Sequence, residues 1–122
     1  MTLGPLMVDV EGTELTPEDR RVLAHPLVGA VILFTRNFST VTQLEGLVRE
    51  IRAVRRPPLL VTVDHEGGRV QRLGPPHWPS YPPGAAYAAL YDADEREGLR
   101  AAYLGARLIA ADLEPLGITV DC

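Results

Sequence analysis

The chain holds one cysteine, Cys122, so no disulfide can form within it, and a reducing, cytoplasmic setting is the expectation. Basic residues are outnumbered: twelve Lys and Arg stand against sixteen Asp and Glu, a formal net charge of -4. The arginines are scattered among acids, so the clustered basic face that draws in phosphates is missing; no nucleic acid or anionic membrane is expected as a partner. No apolar run approaches the roughly 18 residues that a membrane helix needs. The opening MTLGPLMVDVEG has neither the basic n-region nor the cleavage site of an export signal. What is plentiful is apolar: 46% of 122 residues are hydrophobic, enough for one ordinary domain that buries well over half of its unfolded surface.

The apolar residues come in continuous runs. Leu3 to Val10, Val28 to Phe34, Leu59 to Val63 and Ile118 to Val120 lack the alternation of a half-exposed strand, and each reads as a strand covered on both faces. Between them lie helical signals. Thr16-Pro17-Glu18-Asp19 supplies a capping hydroxyl, a proline for the first helical position and acids for the positive end of the dipole, and Pro26 stops that helix. Thr40 and Gln43 form a capping box ahead of a stripe of Leu44, Leu47, Val48, Ile51 and Val54. Asp94 caps a third helix whose stripe is Leu99, Tyr103, Ala106, Ile109 or Ala110, and Leu113, with Gly117 at the left-handed C-cap. The Gly-, Pro- and aromatic-rich segment from 67 to about 91 is expected to be an ordered surface loop.

Buried strands separated by amphipathic helices imply an α/β fold of parallel βαβ units. Two architectures remain, an open doubly wound sheet and a (β/α)8 barrel. Every strand ends in charge: Asp9 and Glu11, Arg36 and Asn37, Asp64 through Arg72, and Asp121. Barrels bind ligands on the loops after their strands, so this pattern favours the N-terminal part of a (β/α)8 barrel, about four strands with intervening helices. A whole barrel takes about 250 residues, so 1–122 is expected to be the first half of one such domain.

The densest chemistry is in LLVTVDHEGGRVQR, residues 59–72. Asp64 closes a buried strand, and the Gly67-Gly68 turn brings Arg69 and Arg72 back toward the same mouth. A carboxylate accepts hydroxyl hydrogens and a guanidinium donates to hydroxyl or carbonyl oxygens, so the pair suits a neutral polyhydroxy ligand. Three other readings stand beside this one. Asp64, Glu66, Arg69 and Arg72 form a structural ion-pair network in the first, and Gly67-Gly68 cradles a phosphate in the second. The third, a metal at His65 and Glu66, is weakened because adjacent strand side chains point apart. His25 reads as a helix-end residue, His77 and Trp78 as loop anchors, and Cys122 as inert.

These segments, with GPLMVDVEG (4–12), LAHPLVGAVILFTRNF (23–38), PLLVTVDHEGGRVQR (58–72) and LGITVD (116–121), resemble family 3 glycoside hydrolases, most of all the bacterial β-N-acetylglucosaminidases (β-hexosaminidases) of cell-wall recycling. The likeness implies a (β/α)8 barrel and removal of terminal non-reducing β-linked N-acetylglucosamine from muropeptides by a retaining mechanism, with no metal or organic cofactor. It assigns sugar binding to Asp64 and Arg72. His65 stands where the family often has glutamine. The family's nucleophilic aspartate and acid/base histidine fall on later loops, beyond residue 122, so no catalytic residue is expected in this chain, which alone should be inactive. A rival reading is a non-catalytic sugar- or phosphate-binding or assembly module, in which another chain completes the sheet; an open parallel edge leaves room for self-association.

Overall fold

The computed structural model describes residues 2–122. Four parallel strands form one sheet: β1 (Leu6–Val8), β2 (Val28–Leu33), β3 (Leu60–Val63) and, after a second small sheet, β6 (Val120–Asp121). Their order across the sheet is β1-β2-β3-β6, so each new strand is added on the same side as the last. An open doubly wound sheet needs a reversal of that order, whereas a barrel does not.

Helices make the crossovers. The first, α1 (Pro17–Leu23), starts as its residues require: Thr16 Oγ1 accepts the Asp19 N–H at 3.0 Å, while the Asp19 carboxylate accepts the Thr16 N–H at 2.9 Å. The second, α2 (Val41–Ala53), begins with Thr40 Oγ1 accepting the Gln43 N–H at 3.1 Å. Gln43 does not return to the Thr40 backbone; its Oε1 accepts from Ser39 N at 2.8 Å, and its Nε2 donates to Thr13 O and Asn37 O. The side chain thereby ties the loop after β1 to the connection between β2 and α2. The stripe of Leu44, Leu47, Val48 and Ile51 is buried against Val31, Leu33, Val61 and Val63. Burying one such side chain contributes about 1.5–3 kcal/mol, so this seam dominates the stability of the unit.

The opposite face of the sheet is less covered. Met7, Ala30 and Leu60 share one level of the register, and Ile32, Thr62 and Val120 the next. Met7 and Leu60 are more than two-fifths exposed. The expected burial of every strand on both sides therefore fails here: β1 is an edge strand, shorter than expected, with Leu6 half exposed. A barrel interior is filled by side chains from alternate strands around the whole ring, and four strands provide only part of that ring.

The expected loop from 67 to 91 is also corrected. A hairpin of β4 (His65–Gly67) and β5 (Val70–Gln71) opens it, and a helix, α3 (Gly84–Ala93), closes it. Pro82-Pro83 punctuates rather than prevents the helix, because the Ala-rich run begins just after it, where no proline is left to block a backbone bond. The next helix, α4 (Glu95–Leu113), starts with Asp94 Oδ1 accepting the Glu97 N–H at 3.1 Å, as expected. The C-terminal half of the expected stripe holds, with Leu113 buried and Ile109 packed against the core, but the N-terminal half does not. Gly98 and Gly105 face α3, where Tyr91 and Tyr87 pack, while Leu99 and Tyr103 are exposed. Gly117 holds the left-handed conformation at φ +80°, ending a short 3-10 turn over Glu114–Leu116.

Candidate functional site

The carboxyl ends of the strands share one rim, and the sheet register explains which side chains meet there. Phe34 follows β2, Asp64 follows β3, and Asp121 lies at the end of β6 opposite Val63. Strand alternation puts Thr62 and Asp64 on the face of the sheet away from α2. The hairpin then folds back, because Gly67 and Gly68 take φ of +86° and +63°, a region costly for any residue with a Cβ.

Pairing of His65 with Gln71 at the hairpin base sets Asp64 beside Arg72. The Arg72 N–H donates to the Asp64 carbonyl at 3.1 Å, and the guanidinium NH2 donates to Asp64 Oδ2, also at 3.1 Å. Both side chains are partly buried, at 22% exposure for Asp64 and 33% for Arg72. Among the described residues Asp64 Oδ1 takes no hydrogen bond, and Arg72 Nε is buried without a partner. The guanidinium also lies over the Phe34 ring, 5.7 Å from its centroid, with Arg36 at 4.9 Å from the same ring. The pair is thus oriented from three directions, with capacity left on each member for a hydroxyl-bearing ligand.

Neighbouring groups fix the rim. Arg36 pairs with Asp9 and donates to Val10 O at 3.2 Å, tying the loops after β1 and β2. Asn37 is fully buried: its Oδ1 accepts the Phe34 N–H at 2.8 Å, and its Nδ2 donates to Val10 O and Gly12 O. Asp121 Oδ1 accepts the His65 N–H at 2.8 Å. The His65 imidazole is fully buried with neither ring nitrogen hydrogen-bonded. Burial holds its pKa below the ordinary histidine value, against the pull of the Asp121 and Asp112 carboxylates. Tyr81 donates its hydroxyl to Asp112; burial, that bond and the charges of Asp112 and Tyr87 push its pKa up to about 12.

Of the residues singled out from sequence, Asp64 and Arg72 are brought together. Arg69 is not: it stands exposed at the hairpin tip, as does Glu66 on β4, so the four-member ion-pair network reduces to one pair. Trp78 is buried and stacks edge to face with Phe38, 5.3 Å between centroids, as a loop anchor should. Among the described residues no group of three or more His, Cys, Asp or Glu converges to hold a metal. Asn37, one of the strand-end residues read from sequence, builds the rim, whereas Gln71, Tyr81 and Asp112 had no local signal, because they make contacts across 8 to 31 residues.

A parallel unit with this strand order and a polar rim at its carboxyl ends defines a segment of a (β/α)8 enzyme barrel. Residues 5–122 match the family profile described as the glycosyl hydrolase family 3 N terminal domain. The chain belongs to that family. It is 51% identical over 97% of its length to a beta-hexosaminidase of Methylobacillus flagellatus, and 49% identical over the same share to one of Thioalkalivibrio sulfidiphilus. In structure it is similar to NagZ from Neisseria gonorrhoeae, solved in complex with N-trifluoroacetyl-D-glucosamine, with a TM-score of 0.89 and 38% identity over 97% of this chain and 34% of that one. A family 3 β-N-acetylglucosaminidase from Paenibacillus sp. follows the same path at a TM-score of 0.79 and 31% identity, over 94% of this chain and 21% of that one. The chain spans about a third of the length of the curated relatives it matches.

Proposed function

We propose that this chain is the first half of a (β/α)8 glycoside hydrolase domain and builds part of the pocket that holds a terminal, non-reducing β-linked N-acetylglucosamine. The observation that carries the reading is the Asp64–Arg72 pair, 3.1 Å apart and partly buried on the rim where a barrel binds its substrate. Asp64 accepts hydrogens from sugar hydroxyls, and Arg72 donates to a hydroxyl or carbonyl oxygen while its guanidinium holds the carboxylate in place. Beta-hexosaminidase relatives at about half identity support the choice of sugar. The substrate in this proposal is a peptidoglycan fragment, a muropeptide, and the cytoplasmic setting belongs to the same proposal, resting on the single cysteine.

In a retaining glycosidase one group attacks the anomeric carbon and another protonates the leaving oxygen, through a covalent glycosyl intermediate. Both are assigned to segments after residue 122, and the chain by itself is inactive. The test is the anomeric form of the sugar first released by the complete protein from a β-linked muropeptide. Release as the β-anomer, read by NMR before mutarotation, is expected; the α-anomer overturns the retaining mechanism, and no release overturns the substrate.

The uncovered face with Met7 and Leu60, bounded by the edge strands β1 and β6, favours one second reading: an assembly module that another copy completes. Sedimentation of the 122-residue chain separates the two, because a symmetric dimer supports the assembly module and a stable monomer opposes it.

A further inference from the structure

Tyr81 is used at each of its polar groups and at its ring, and three of the four contacts are to the hairpin. Its N–H donates to Gln71 Oε1 at 2.9 Å, and its carbonyl accepts the Gly68 N–H at 2.8 Å. Its ring meets the His65 ring edge to face, 6.0 Å between centroids. Its hydroxyl donates to Asp112 on α4. His65 and Gln71 face each other across the hairpin base, and the next residues outward are Asp64 and Arg72. One residue therefore grips both strands one step below the carboxylate and the guanidinium. Gln71 reinforces the grip, with Nε2 donating to Leu73 O at 2.8 Å and Pro79 O at 2.7 Å.

A segment that merely links β5 to α3 has no need of this convergence. Tyr81 is only 9% exposed, so it has little surface to present to a ligand, and its contacts point toward the hairpin instead. The bond to Asp112 is charge-assisted, the stronger kind, and it anchors the whole arrangement to the longest helix of the unit.

We propose that Tyr81, braced by Asp112, is a positioning residue that sets the spacing and aim of the Asp64–Arg72 pair and thereby the affinity for the sugar. The inference rests on the reading of Asp64 and Arg72 as sugar ligands. Loosening the brace widens the distribution of distances between the two groups without removing either. The effect falls on substrate binding, because the reacting groups are assigned to other segments.

The complete protein carrying Tyr81→Phe, Asp112→Ala, Asp112→Asn, the Phe/Ala double change or Asp64→Ala provides the test. Two readouts are needed: amide hydrogen exchange at Gly68 and Arg72, and KM with kcat for an aryl β-N-acetylglucosaminide. In Tyr81→Phe and in Asp112→Ala, exchange at those two amides should rise by about tenfold or more while Val61 and Val63 keep theirs. KM should rise on the order of tenfold with kcat nearly constant. The double change should do no more than either single one, and Asp112→Asn, which keeps an oxygen acceptor, should recover most of the loss. Unchanged exchange at Gly68 and Arg72, a uniform rise across the core, or additive effects in the double change overturn the inference. If Asp64→Ala weakens turnover and Tyr81→Phe does not, only the positioning role falls. If Asp64→Ala changes nothing, the sugar reading falls and takes the link to affinity with it.

Discussion

Replacing Gly67 with alanine tests whether the hairpin that joins Asp64 to Arg72 depends on backbone that only glycine tolerates. The residue has φ +86°, and a Cβ built there lies 2.3 Å from Pro82 O, 3.0 Å from Tyr81 O and 3.1 Å from the Pro82 carbonyl carbon. All three neighbours are backbone, so no side chain can swing away. Left-handed conformation costs a residue with a Cβ about 1–2 kcal/mol. Displacing residues 81 and 82 also weakens the Gly68 N–H to Tyr81 O bond, a net loss of about 0.5–1.5 kcal/mol. Together these give roughly 1.5–3.5 kcal/mol, a large share of the 5–15 kcal/mol typical of a domain. Gly84→Ala is the control: it opens α3 with nothing within 4 Å of the added Cβ, so alanine should be neutral or stabilise by up to about 1 kcal/mol. Urea unfolding followed by far-UV circular dichroism and by the fluorescence of Trp78, the chain's one tryptophan, measures both. A Gly67→Ala protein within about 0.5 kcal/mol of the parent refutes the reasoning, since that is the range of an uninvolved surface change.

Other outcomes follow from the same structure. Burial depresses the His65 pKa, so the unfolded chain binds that proton more readily than the folded one. Its contribution to stability is complete above about pH 6.5 and falls as pH drops from there toward the folded value, by at most about 1.4 kcal/mol per unit. His65→Gln should flatten that part of the urea-unfolding profile, and an identical slope contradicts it. Ile51→Ala, at a fully buried position, should cost about 2–5 kcal/mol in the same assay, whereas Leu108→Ala, 58% exposed, should stay within about 0.5 kcal/mol. Spectrophotometric titration should show a tyrosine ionising near pH 12, absent from Tyr81→Phe; a curve that the substitution leaves unchanged contradicts the bond to Asp112.

Much of this fold was legible because local chemistry and global packing agree. Thr16 with Asp19 and Thr40 with Gln43 cap the helices that they announce, and Leu44, Leu47, Val48 and Ile51 form the buried seam that their spacing predicts. The strands were found within a few residues of their bounds. Their exposure was not, because Met7 and Leu60 are apolar for the sake of a barrel interior that four strands only partly enclose. Helix α3 was hidden behind Pro82-Pro83, whose effect on the residues after them is weak. The first half of the stripe on α4 fails because glycines 98 and 105, not Leu99 and Tyr103, make the closest approach to α3, while Ile109 and Leu113 meet the core as their spacing predicts.

The site was half legible. A charged run straight after a buried strand pointed to Asp64, and the eight-residue return through two glycines pointed to Arg72. Arg69 stays in solvent instead, since it sits in the two-residue turn of the hairpin, whose positions point outward. Tyr81 and Asp112 escaped because each works through a partner distant in sequence.

The Asp64 carboxylate and the Arg72 guanidinium are proposed to face one sugar. The most direct test of this placement is turnover of an aryl β-N-acetylglucosaminide by the complete protein with Asp64→Ala. A loss in kcat/KM on the order of a hundredfold is predicted, because a site built to bond a hydroxyl is left with an unpaired partner. An unaltered kcat/KM in a folded Asp64→Ala protein contradicts it.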